Sequence, residues 1–222
     1  MQRPTAAAAA VLTVASVFVA PAWVRASPSS ASGPNCAPGY RYAGYASRGG
    51  VDGVVATISA PRAPVVRAGH AAAWVGVGGT HEGSRSGNEW LQAGVAAFPR
   101  TGLRLYVESV SPGRPRRFLD LGSALPGRRY RVQVAEVAAN VWQAAIDGRN
   151  VGPAAYLPVA HGSWRGIATA ETWTNGDGAC NSYAYRFDEV AVRASSRWIG
   201  LRGAQRVGAP ANRIGNAFSA AA

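Results

Sequence analysis

Along most of this chain, apolar residues alternate with polar or small ones at a period of two. Residues 54–59, 72–77, 90–95, 103–108, 130–134, 141–146, 166–173 and 185–192 read as short strands of this kind. Gly and Pro recur between them, and helical periodicity is nearly absent. Asp147-Gly148, directly after the run at 141–146, signals a tight turn or hairpin. So many strands without helices pack most simply as two antiparallel sheets, so an all-β sandwich in one domain over residues 40–193 is expected.

The alternation also sorts the side chains by face, because successive residues of a strand point to opposite sides. Ala73, Val75 and Val77 share one face, and Leu91, Ala93 and Val95 another of the same kind. Leu103, Leu105 and Val107 form a third, and Ala168 and Ala170 a fourth. These faces suit a core between the sheets. The opposite faces collect Trp74, Gly76, Gly78, Trp90, Gln92, Gly94, Arg104, Tyr106, Glu108, Ile167, Thr169, Glu171 and Trp173. A plain solvated face carries few Trp or Gly. Aromatic rings, space left by glycine and a few polar groups are what a binding groove needs.

Two groups on that face can handle a water molecule. Glu171 can take a proton when ionised and give one when protonated. The Gln92 amide both donates and accepts hydrogen bonds, and can steady an oxyanion. A carboxyl of ordinary pKa would make such a pair work best in acid. Other chemistries find little support. His70, His81 and His161 do not form a zinc-binding pair, no nucleophile elbow is present, and neither metal nor cofactor is expected.

Composition changes the picture at the two ends. Arg3 precedes a nearly unbroken apolar run over residues 6–20, and small residues suit cleavage after Ala26. Residues 1–26 therefore read as an export signal, 27–39 as a Ser/Pro/Ala/Gly linker, and 194–222 as an Arg/Gly/Ala-rich tail that is partly or wholly disordered. No further stretch is long enough to span a bilayer, which predicts an extracellular protein that leaves the membrane after processing. In an oxidising compartment Cys36 and Cys180 allow one intramolecular pairing. It would close a loop of about 145 residues and contribute ~4–5 kcal/mol on the chain-entropy view. Two free thiols are the alternative.

The formal charge is +12, and all 23 basic residues are Arg. They accompany abundant Ala, Gly and Pro, as a GC-rich coding bias gives. They are scattered, with local clusters only at Arg114–Arg117 and Arg128–Arg131. That scatter argues against a nucleic-acid module, which concentrates its charge on one stripe.

Read in order, these residues resemble the eqolisins, the glutamic peptidases, whose fold is a concanavalin A-like sandwich. Tyr42-Ala43-Gly44-Tyr45 is similar to the family's Asn-Trp-Ala-Gly opening. Trp74-Val75-Gly76-Val77-Gly78-Gly79 resembles its Trp-Val-Gly-Ile motif, and Leu91-Gln92-Ala93-Gly94 its Leu-Gln-Thr/Ala-Gly motif. Tyr106-Val107-Glu108 is similar to part of its Tyr-Glu-Trp-Tyr stretch, and Ala170-Glu171-Thr172-Trp173 to its Ala-Glu-Trp motif. The last two depart from the pattern: Ser109 and Val110 replace aromatics, and Thr172 is interposed before Trp173. The resemblance implies catalytic Gln92 and Glu171, with Trp74, Tyr106 and Glu108 lining a groove for a protein or peptide substrate. A non-catalytic module for carbohydrate or polyanion on the same sandwich is the alternative.

Overall fold

The computed structural model describes residues 38–176, 180–201, 203–209 and 211–221. The strands are β1 (Gly39–Ala46), β2 (Gly53–Ser59), β3 (His70–Gly79), β4 (Glu89–Phe98), β5 (Gly102–Val110), β6 (Arg117–Ser123), β7 (Arg129–Ala138) and β8 (Val141–Ile146). They continue as β9 (Arg149–Tyr156), β10 (Gly166–Thr174), β11 (Ala184–Ala194), β12 (Arg197–Gly200), β13 (Gln205–Gly208), β14 (Asn212–Ile214) and β15 (Ala217–Ala221). One short 3-10 turn, Ser84–Ser86, precedes β4, and the described residues contain no α-helix.

The strands form two antiparallel sheets. The first has the order β13-β1-β10-β3-β4-β5-β6, and the second β14-β15-β11-β2-β7-β8-β9, with β12 on β11. This is the sandwich that the alternation predicts. Each predicted strand lies within an observed one. The Asp147-Gly148 turn joins β8 to β9, with φ of 51° and 77° at its two residues. Both residues need the left-handed region there, which Asp and Gly tolerate.

The core lies between the sheets. Ala73, Val75, Val77, Leu91, Ala93, Val95 and Val107 of the first sheet meet Val54, Ile58, Val132, Trp142 and Phe187 of the second. Every residue that the alternation assigned to a core face on β3, β4 and β10 is buried there.

The C-terminal stretch departs from expectation. Where a partly or wholly disordered tail is expected, the described residues carry strands: β13 pairs with β1 at the edge of the first sheet, and β15 pairs with β11 in the second. The Phe218 ring, 3% exposed, stacks on Phe187 with centroids 4.3 Å apart. The C-terminal strands are only 3–5 residues long, and the partners of β13 and β15 lie far away in sequence, so no local pattern announces them. Phe218→Ala is expected to lower stability by about 3 kcal/mol. Urea unfolding measures this, and a change under 1 kcal/mol would mean that the C-terminal strands are not anchored by the ring.

The signal-peptide reading and Cys36 lie outside the described residues. Among those residues no helix is long and apolar enough to cross a membrane.

Candidate active site

The face of the first sheet turned away from the core carries a second apolar cluster, formed by Ala72, Trp74, Ala96 and Tyr106 with Tyr42, Phe98 and Ile167 packed against it. Glycine shapes its floor. Gly94 lies between Trp74 on β3 and Tyr106 on β5. A Cβ there would overlap the Ala73 carbonyl oxygen, so only glycine lets the β3 and β4 backbones pass so closely. Gly76 has the same role beside Leu91 and Gln92.

Above this floor lie two hollows that share part of their lining. The larger, about 420 Å³, is lined among others by Tyr42, Trp74, Trp90, Gln92, Glu108 and Glu171. The smaller, about 180 Å³, is lined by His70, Ala72, Ala96, Phe98, Tyr106 and Phe118, and shares Glu108, Arg116 and Glu171 with its neighbour. All five groove residues expected from the sequence, Trp74, Gln92, Tyr106, Glu108 and Glu171, thus stand on one face and line this groove.

Their mutual geometry is more specific than the sequence suggested. Gln92 lies opposite Glu108 on β5 and opposite Gly76 on β3, and Gly76 in turn faces Ile167 on β10. Glu171 lies four residues further along β10, opposite Ala72 and Tyr42. The offset is ~13 Å along the strands, and two strand spacings add ~10 Å across them. Gln92 and Glu171 therefore do not face each other as cross-strand neighbours. Tyr106 stands between their rows, its hydroxyl accepting a hydrogen bond from Gln92 Nε2 at 3.5 Å.

Each carboxylate has its own partner. Glu171 Oε1 lies 3.2 Å from His70 Nε2. Its Oε2 has no hydrogen-bond partner among the described residues. Glu108, 5% exposed, meets Arg116 through both oxygens, Nε to Oε1 at 2.7 Å and Nη2 to Oε2 at 3.1 Å. Trp90 Nε1 donates to Glu108 Oε1 at 3.3 Å. Trp74 Nε1 is buried in the floor without a hydrogen-bond partner among the described residues.

Burial pushes the Glu108 carboxyl above the usual carboxylate range and Glu171 adds to the rise, although the Arg116 charge and hydrogen bonds pull the other way. Burial also lifts the Tyr106 and Tyr42 hydroxyls, so both remain O–H donors throughout the working pH range. For Glu108 the folded pKa lies above the unfolded one, so folding favours the bound proton. This contribution to stability is fully present below the unfolded pKa and is lost as pH rises through the folded one. The difference in urea midpoint between the wild type and Glu108→Gln is thus expected to favour the wild type most in acid and to shrink towards neutral pH. A pH-independent difference would contradict the shift.

The sequence reading missed His70 and Arg116. His70 carries a weak signal, because it continues the Ala72/Trp74 side of β3 at period two. Arg116 belongs to the Arg114–Arg117 cluster, but the β5–β6 loop alone brings its guanidinium onto Glu108 and beside Tyr40.

No protein-family model and no curated protein matches this chain. Among solved structures, scytalido-glutamic peptidase with a peptide-based transition-state analogue aligns with a TM-score of 0.60 at 17% identity, over 82% of this chain and 98% of that one. SCP-B, a member of the eqolisin family of peptidases in complex with the tripeptide Ala-Ile-His, aligns with a TM-score of 0.58 at 15% identity over the same shares. At this level of identity the chain is similar to these peptidases in fold: a two-sheet sandwich spanning nearly the whole of each.

Proposed function

We propose that the outer face of the first sheet binds an extended polypeptide and hydrolyses it in acid. The observation that carries this reading is that Gln92, Glu108 and Glu171 line one aromatic-walled groove on a buried floor. Glu171, steadied by His70 and keeping Oε2 open, takes a proton from the attacking water. The Gln92 amide, braced by Tyr106, holds the carbonyl oxygen as negative charge develops on it. Glu108, whose carboxyl keeps its proton to higher pH than usual, is the donor to the departing amine. The likeness in fold to peptidases crystallised with peptide ligands supports a peptide as the occupant.

A non-catalytic binding module is the second reading, favoured by the full engagement of Glu108 with Arg116. Hydrolysis of an acid-denatured protein at about pH 3 and about pH 7 separates the two. Cleavage confined to acid supports the peptidase; a folded sample that cleaves at neither pH leaves the binding module. The reading takes the chain to be exported and cross-linked through Cys36 and Cys180. Secreted protein is then expected to begin at Ser27, and a non-reducing digest to yield the Cys36–Cys180 peptide pair.

A further inference from the structure

We infer that the open flank of the sandwich, between the edge strands β6 and β9, is a binding site for an acidic polysaccharide, a chain of pyranose rings bearing carboxylate or sulfate groups. The site adjoins the groove through Arg116 and Phe118, but it does not depend on the hydrolysis proposed there. A hollow of about 970 Å³ lies between the β5–β6 loop and β9. Pro112, Arg114, Pro115 and Arg117 line one wall, and Pro153 and Tyr156 the other. No Asp or Glu is among its described lining residues.

The two Arg clusters of the sequence keep different company. Arg128, Arg129 and Arg131 each pair with an acid: Asp147, Asp188 and Glu189. In the other cluster Arg116 pairs with Glu108, whereas Arg114 and Arg117 are exposed and form no ion pair among the described residues. A guanidinium stays ionised at any working pH and grips an oxyanion with two parallel N–H donors. Arg114 is also held in place beforehand. Pro112 and Gly113 fill the middle of a turn closed by the Arg114 N–H on the Ser111 carbonyl oxygen at 3.1 Å, with Gly113 at φ 65°. A site built in advance loses little freedom on binding.

The opposite wall favours a glycan. Tyr156 is 59% exposed and offers a ring on which the C–H face of a sugar can lie. Pro153 has no N–H for an added strand, which disfavours an acidic polypeptide pairing with the β9 edge. Two arginines without acidic partners are few for nucleic acid, whose affinity comes from many phosphate contacts along a stripe. A polymer that alternates ring faces with anionic groups engages the tyrosine and the arginines together.

The test measures binding of the purified protein to polygalacturonate and to dextran sulfate at about pH 6, where carboxylates are ionised. Neutral dextran, polyglutamate and a single-stranded oligonucleotide are the comparison probes. At least one acidic glycan is expected to bind more tightly than all three, and the better of the two identifies the anionic group. Arg114→Ala with Arg117→Ala is expected to weaken that binding by at least about tenfold. Arg128→Ala with Arg129→Ala removes the same charge and is expected to change it by no more than about twofold. Tyr156→Ala removes no charge and is expected to weaken it by about threefold or more. Circular dichroism checks the fold of each variant; should the first pair unfold, Arg114→Gln with Arg117→Gln repeats the measurement. Equal losses in the two arginine pairs would mean that net charge alone attracts the glycan, and would overturn the inference. No binding of either acidic glycan, binding indifferent to Tyr156→Ala, or a preference for any comparison probe would overturn it too. None of these outcomes bears on hydrolysis in the groove.

Discussion

Gln92→Ala and Glu171→Gln are each expected to lower kcat/KM for peptide hydrolysis at about pH 3 by at least a hundredfold. Losing one donor to a developing oxyanion reduces rates by about 10²–10³, and losing a proton-transfer group by about 10²–10⁴. The two should differ in kind. Gln92→Ala removes a contact that strengthens only as charge appears on the carbonyl oxygen, so kcat falls while KM changes little. Glu171→Gln keeps the shape and the contact with His70 but cannot accept a proton, so its loss should persist at every pH. Glu108→Gln helps to discriminate, because it retains hydrogen bonding beside Gln92 but has no proton to donate. If Glu171→Gln keeps more than a tenth of the wild-type rate while Glu108→Gln abolishes activity, the carboxylate in Gln92's own row is the base and the assignment of Glu171 is wrong. His70→Ala, by contrast, should alter the pH profile more than the maximal rate, as a positioning residue does.

Gly94→Ala is expected to carry the largest stability penalty of any single methyl addition in the groove, about 3–5 kcal/mol against a typical total of 5–15 kcal/mol. The added Cβ meets the Ala73 carbonyl oxygen and Trp74 Cα, both backbone atoms that no rotamer change can move away. Relief requires separating β3 from β4, which pair without interruption over Ala71–Gly79 against Glu89–Ala97. That separation would also lift Trp74 and Tyr106 from the groove floor. Gly49→Ala is the control, because its Cβ would meet nothing within 4 Å and the change should stay within about 0.5 kcal/mol. Urea midpoints of the two variants measure the contrast. Equal midpoints would mean that the strands separate freely and that the floor is not fixed by this glycine.

The legible part of this protein is the part encoded by short-range alternation. Ala73, Val75 and Val77 against Trp74 and Gly76, and Leu91, Ala93 and Val95 against Gln92 and Gly94, announce both the strand and the face, because a pleated backbone permits no other division. Strands β6 and β9, Arg117–Ser123 and Arg149–Tyr156, carry mixed, mostly exposed residues at the sheet edges. With only one side packed they show no clean alternation, and no period announces them. Strands β12 to β15 fall in the expected tail for a related reason, since 3–5 residues cannot display a period and they are held by β1 and β11, with β14 on β15.

The same division holds at the site. By itself the sequence determined that Trp74, Gln92, Tyr106, Glu108 and Glu171 point away from the core, since face follows from parity along each strand. Only the tertiary structure decided which of them are neighbours, because strand order and register arise from pairing between distant segments. Pairing β4 with β5 put Glu108, rather than Glu171, opposite Gln92. Pairing β10 with β3 put Glu171 at the end of β3 where His70 stands, within hydrogen-bond reach. The β5–β6 loop carried Arg116 back over Glu108. Parity is a property of one strand and is written locally, whereas register is a property of two strands and is set by the packing of the whole sheet.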